Sequence, residues 1–146
     1  MKSSYTEKHR QLFQSITNDI IPSINTQTTI VEFGILNGFS LQCFAECTKS
    51  KSDKCTITAY DIFNEFIGNQ ANETTLKKTF SSYPNVSIQY GDFYLKNLEI
   101  PDDSIDILHI DIANTGDTYE HVFNEYMSKV KVNGVIILEG GTEERD

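Results

Sequence analysis

The sequence contains no run approaching the ~18 consecutive apolar residues of a bilayer-spanning helix, so no membrane span is expected. Its first ten residues, Met1 to Arg10, lack the apolar stretch of a secretory signal. Basic residues are scarce: 12 Lys and Arg stand against 21 Asp and Glu, a formal net charge of −9. Binding to a phosphate backbone or an anionic membrane calls for a basic face, so neither nucleic acid nor membrane is an expected partner. Cysteine is sparse and odd in number. Without a signal segment, Cys43, Cys47 and Cys55 point to reduced thiols and a cytoplasmic chain. Cys43 and Cys47 are four apart on one predicted helix face, but no second pair or histidine completes a metal site, and they read as small packing residues. Repeats, low-complexity tracts and linkers are also missing. The 146 residues are therefore expected to form one domain, 1–146, long enough to bury a core.

What is present is an alternation of two periods. Leu12, Phe13, Ile16 and Ile20 recur at helical spacing within Gln11 to Ile21, and Pro22 stops the run. Thr28 to Phe33, Thr56 to Asp61, Val86 to Tyr90, Ile105 to Asp111 and Val135 to Leu138 read as five strands. Helices are expected over Leu41 to Thr48 and Thr74 to Ser81. Another follows the fourth strand, where Tyr119, Val122, Phe123, Tyr126, Met127 and Val130 form one apolar stripe. Asp117 with Glu120 predicts a capping box at its start, and Asn133-Gly134 its end; His121 falls on the polar face. Ile62 to Glu73 reads as a long loop. Strand and helix alternation predicts an α/β, Rossmann-like three-layer sandwich on a mostly parallel sheet.

In such sheets ligands bind beyond the carboxyl ends of the strands, so those ends carry the functional reading. The first closes as Glu32-Phe33-Gly34-Ile35-Leu36-Asn37-Gly38, a tight turn into a helix. Its glycine spacing is not the G-x-G-x-x-G of dinucleotide sites, and there is no Walker lysine. Asp61 ends the second strand, where a carboxylate accepts ribose hydroxyls. Gly91-Asp92 ends the third, followed by Phe93. Asp111 ends the fourth within Leu108-His109-Ile110-Asp111; an otherwise apolar strand bearing His109 and Asp111 points to function for Asp111, while His109 reads equally as a satisfied core histidine.

An acid two residues before Gly-x-x-x-Gly, then Asp61, Asp92 and Asp111 at successive strand ends, resembles the class I S-adenosylmethionine (SAM) dependent methyltransferases over nearly the whole chain. Leu108 to Asp111 with Tyr119-Glu120 is similar to the small-molecule O-methyltransferases of the macrocin type. That resemblance implies SAM as cofactor, held by Glu32, Gly34, Asn37, Gly38, Asp61, Asp92, Phe93 and Asp111. It places Asp92 beside the adenine amino group, Phe93 against the ring, and Asp111 at the reacting centre as the catalytic residue. It implies a small polar acceptor, a sugar or glycan precursor, methylated on oxygen. Asp117 stands where the family's histidine would, so a histidine base is not supported. A divalent cation between Asp111 and Glu139 would need an Asn where Gly140 stands, and no metal is assigned.

Ile62 to Glu73 and the first helix are the expected substrate contacts. The family sheet carries two further strands beside the fifth. This chain stops soon after that strand, which predicts an apolar edge, covered by more of the same protein or by a second copy in a homo-oligomer. Two alternatives remain: a degenerate SAM-binding interaction module, and an NAD- or nucleotide-binding Rossmann enzyme.

Overall fold

The computed structural model describes residues 6–20, 27–113 and 115–139. Ile21, Pro22 and Gly140 lie outside the described residues.

All five strands lie parallel in one sheet: β1 Thr28–Phe33, β2 Cys55–Asp61, β3 Val86–Tyr90, β4 Ile105–Ile110 and β5 Val130–Leu138, in the order β3-β2-β1-β4-β5. The order reverses between β1 and β4, whose residues pair from Ile30↔Ile107 to Phe33↔Ile110. Three of the strands are near-continuous β-branched and apolar runs because both their faces are covered.

One face packs under α1 Glu7–Ile20, α2 Phe39–Thr48 and α3 Glu73–Thr79. Phe13, Ile30, Leu41, Phe44, Ile57 and Ile107 form that core, with Cys43 and Cys55 among them as small apolar fillers. Burial pushes both of these thiols up to about 11. The other face packs against α4 Phe93–Lys96 and α5 Gly116–His121, with Val31, Phe33, Tyr60, Leu108, Val122 and Tyr126 between. The result is the expected three-layer sandwich.

The larger departures from the sequence expectation lie in the first and last helices and in β5. The first helix starts at Glu7 rather than Gln11. The cap of α5 is Thr115, whose hydroxyl accepts from the Thr118 N–H, and Asp117 is an acidic first-turn residue instead. The helix then widens into a π turn over Val122–Tyr126 and tightens over Met127–Lys129. Asn133-Gly134 does not end the helix: β5 already begins at Val130, and the pair makes an irregularity inside it, with Asn133 at φ +68°. Hydrogen bonding to β4 overrides the turn signal there.

His121 is half-buried rather than fully solvated. Its ring packs against Phe93 and Tyr94 at 5.0 and 4.9 Å, and its Nε2 is buried. The apolar stripe divides as well. Val122 and Tyr126 are fully buried, whereas Phe123 and Met127 are more than half exposed and line an open apolar groove with Val130, Ile136 and Leu138. That groove runs along β5, which ends the sheet on this side.

Candidate functional site

Four backbone hydrogen bonds carry the sheet past the ends of its strands. Gly91 N–H donates to the Asp61 carbonyl, Gly34 to Tyr60, Asp111 to Phe33 and Glu139 to Ile110. These rungs set Asp92, Asp61, the Gly34 turn, Asp111 and Glu139 side by side along one rim, at the reversal of strand order. The candidate acids predicted from the sequence therefore share one edge of the sheet.

Gly34 and Gly38 both have positive φ, +87° and +79°. The reason is the protein's own packing. A Cβ on Gly34 would lie 2.7 Å from the Asp111 carbonyl carbon and closer still to its oxygen, and one on Gly38 would meet the Phe80 ring at 2.8 Å. The two glycines thus press the β1 turn against the β4 end and against α3. Asn37, between them, is exposed.

Asp61 is buried and serves its own loops first. Its Oδ2 accepts from the Ile35 N–H at 2.8 Å, and its Oδ1 from the Phe63 N–H and the Asn69 amide, each at 2.7 Å. Three of the roughly four acceptor positions of a carboxylate are filled. Ribose hydroxyls would use the remaining one and displace Asn69, which sits on a half-buried loop position. That loop also carries Phe66 and Ile67, both strongly exposed.

Asp92 caps α4, its Oδ1 accepting from the Tyr94 N–H at 2.9 Å. Phe93 does not reach the rim. Its ring is buried in the second core, stacked 4.9 Å from Tyr126, whose hydroxyl donates to the Phe93 carbonyl. The expectation that Phe93 lies against an adenine ring is corrected: α4, a short helix absent from the sequence reading, turns the side chain inward.

Glu32 is completely buried. Its Oε1 accepts from the Ser40 hydroxyl and meets His109 Nδ1 at 3.0 Å; its Oε2 is buried with no partner among the described residues. His109 in turn reaches Glu139 Oε1 through Nε2, at 3.3 Å. Burial pushes the His109 imidazole down, but hydrogen bonds to Glu139 and Glu32 and their charges more than reverse this and hold it up to about 9. Each ring nitrogen thus faces a carboxylate oxygen. Sequence reasoning weighed His109 as functional or as a satisfied core histidine and did not foresee its two carboxylate partners. The usable signal was parity: Glu32 and His109 are register partners on adjacent strands, so their side chains share a face. Ser40, two residues past Gly38, carried no comparable signal.

SAM is a cation bearing hydroxyls and an amino group but no phosphate. The donor set suits it, because a buried carboxylate oxygen without a partner accepts an ammonium and the rim carboxylates accept hydroxyl and amino protons. None of the rim residues named here is basic, which fits a pyrophosphate poorly. Among the described residues no group of three or more His, Cys, Asp or Glu side chains is arranged to hold a metal, and Glu139 is engaged by His109. No described helix is long and apolar enough to cross a membrane.

No curated protein matches the sequence. Solved structures share the fold. CalS11, a TDP-rhamnose 3′-O-methyltransferase of calicheamicin biosynthesis, is 13% identical, with a TM-score of 0.75 over 98% of this chain and 68% of its own. The DszA carbon methyltransferase is 16% identical, with a TM-score of 0.67 over 94% and 36%. Haemonchus contortus phosphoethanolamine N-methyltransferase 1, solved with S-adenosylhomocysteine (SAH), is 18% identical, with a TM-score of 0.57 over 93% and 27%. This chain thus spans between 27% and 68% of the length of these three proteins. A family model described as a methyltransferase domain matches residues 31–139, from within β1 to the acid after β5. With that match and the strand order above, the chain belongs to the methyltransferase-domain family and has the Rossmann-like fold of class I SAM-dependent methyltransferases.

Proposed function

We propose that this chain is the cofactor-binding body of a SAM-dependent methyltransferase that methylates oxygen on a small polar acceptor, a sugar or glycan precursor. The observation that carries the reading is the row of acids at one rim of the parallel sheet, with the unpartnered Oε2 of Glu32 buried beside it. The sugar acceptor is the choice that CalS11, whose fold this chain shares, favours.

In this reading Asp61 holds the ribose hydroxyls, Asp92 the adenine amino group and Glu32 the charged methionine end, with the Gly34 to Gly38 turn and Asn37 framing the cofactor. SAM, when bound, supplies a methyl group on a sulfonium for in-line displacement. The protein's task is then chiefly alignment, because holding acceptor and donor in line removes most of the entropic barrier. Asp111 stands at the β1/β4 reversal, where it accepts the proton of an acceptor hydroxyl. The exposed Phe66 and Ile67 of the loop after β2 frame the acceptor side. The β5 edge and its groove pair with more of the same protein or with a second copy, and size-exclusion chromatography with intact mass reads that out.

A second reading, a SAM-binding module without turnover, draws on the open β5 edge and on Asp117 in place of a histidine. Calorimetric titration with SAH and with NAD, followed by turnover on a panel of sugar acceptors, decides. SAH binding with methyl transfer supports the first reading; SAH binding without transfer supports the second. NAD binding in place of SAH refutes both.

A further inference from the structure

We propose that His109 is a positioning residue for cofactor binding: as an imidazolium clamped between Glu32 and Glu139 it holds the Glu32 carboxylate in place, with one oxygen left to receive a cationic group of the ligand. The inference rests on the SAM reading above and adds a residue to it. His109 touches neither cofactor nor acceptor; it acts through Glu32.

Three neighbouring strand ends supply the clamp. Glu32 on β1 pairs in register with His109 on β4, and His109 pairs with Ile137 on β5, two residues before Glu139. Side chains two apart on a strand share a face, so glutamate, histidine and glutamate line up across the sheet under α1 and α2. Phe13 of α1 and Phe44 of α2 pack edge-on to the imidazole at 5.0 and 5.9 Å and keep water out. His109 is fully buried, as is Glu32.

An imidazolium has two N–H donors and satisfies both carboxylates. A neutral imidazole has only one, and would turn a lone pair on the other carboxylate in a dry site. The clamp leaves the unpartnered Glu32 Oε2 as the acceptor that complements a cation. Ser40 adds a second donor to Glu32 Oε1, which leaves Oε2 as the oxygen for the ligand.

Further charged and titratable groups lie on the elements around the clamp. Arg10 of α1 pairs with Glu46 of α2 and with Glu7. Cys43 of α2 remains a thiol. Tyr119 of α5 donates to the Glu139 carbonyl, and Asp111 follows His109 on the same strand end.

The test compares the wild-type chain with His109→Asn, using SAH as the calorimetric probe from pH 6 to pH 10. The wild type is expected to bind evenly to pH 8 and to weaken above pH 9 as the clamp loses its proton. His109→Asn is expected to bind SAH roughly ten-fold or more weakly at pH 8, the scale of one charge-assisted hydrogen bond. It should also lack the part of the alkaline weakening that belongs to His109. The ammonium of SAH titrates alike in both proteins, so the difference between the two profiles is the readout.

Imidazole NMR shifts of the wild-type chain without ligand give an independent measure and do not depend on the variant folding. His109 is expected to stay doubly protonated through pH 8. A neutral His109 at pH 7, or identical alkaline limbs in both proteins, overturns the proposal. Failure of the wild type to bind SAH at any pH refutes the SAM reading instead, and the NMR titration still reports on the clamp.

Discussion

Replacing Gly34 with alanine tests the close approach of the β1 and β4 ends. The new Cβ would stand 2.7 Å from the Asp111 carbonyl carbon and within bonding range of its oxygen, with Ile112 Cγ2 at 3.2 Å. The obstacle is backbone, held by the Asp111 N–H bond to the Phe33 carbonyl, so no rotamer change relieves it. Two costs add. A side chain at φ +87° costs about 1–2 kcal/mol, and forcing two packed backbones apart costs roughly 1–3 kcal/mol more. A total of about 2–5 kcal/mol is a large share of the ~5–15 kcal/mol that holds a domain together. Thermal and urea unfolding measure it, and the melting temperature is expected to fall by roughly 10 °C.

Gly116→Ala is the control. Its Cβ meets nothing within 4 Å and its φ is not positive, so its effect is expected to stay within about 1 kcal/mol of zero. SAH affinity should fall in the Gly34 variant even where it remains folded, because the shift displaces the rim. A Gly34→Ala protein within about 1 kcal/mol of the wild type, with unchanged SAH binding, refutes the close approach and the site built on it.

Asp61→Asn sets an amide donor against either the Ile35 or the Phe63 N–H, and should cost about 1–3 kcal/mol in urea unfolding together with a ten-fold or greater loss of SAH affinity. The His109 pKa is raised in the folded state, so its contribution is complete below pH 6.5 and lost as pH rises towards about 9; stability by thermal melts should decline across that window, and less so in His109→Asn. Cys43 and Cys55, buried with thiols held near 11, should react with a disulfide reagent far more slowly than the half-buried Cys47, timed by absorbance in native and unfolded protein.

Much of the architecture was legible in the chain because parallel strands buried on both faces read as apolar, β-branched runs. The observed spans Thr28–Phe33 and Val86–Tyr90 match the sequence boundaries residue for residue. Gly34 and Gly38 announced a turn through their freedom at positive φ, and the acids at the strand ends marked the rim. The helix before β5 was harder. Its stripe predicted one buried face, but a π turn redirects it, and Phe123 and Met127 face the open groove instead. A four-residue helix such as α4 is too short to show a period, so Phe93 read as a rim residue.

Local composition by itself determined the class of fold, the alternation of elements and the positions of the acids, since hydrophobic period and turn chemistry act within a few residues. Only tertiary structure decided what each acid does. Asp61 is tied by donors from two loops, Glu32 by Ser40 and by a histidine 77 positions away, and the two rim glycines by backbone and ring from distant elements. A hydrogen bond between residues far apart in the chain exists only once the sheet has set their strands side by side, and no spacing in the sequence encodes it.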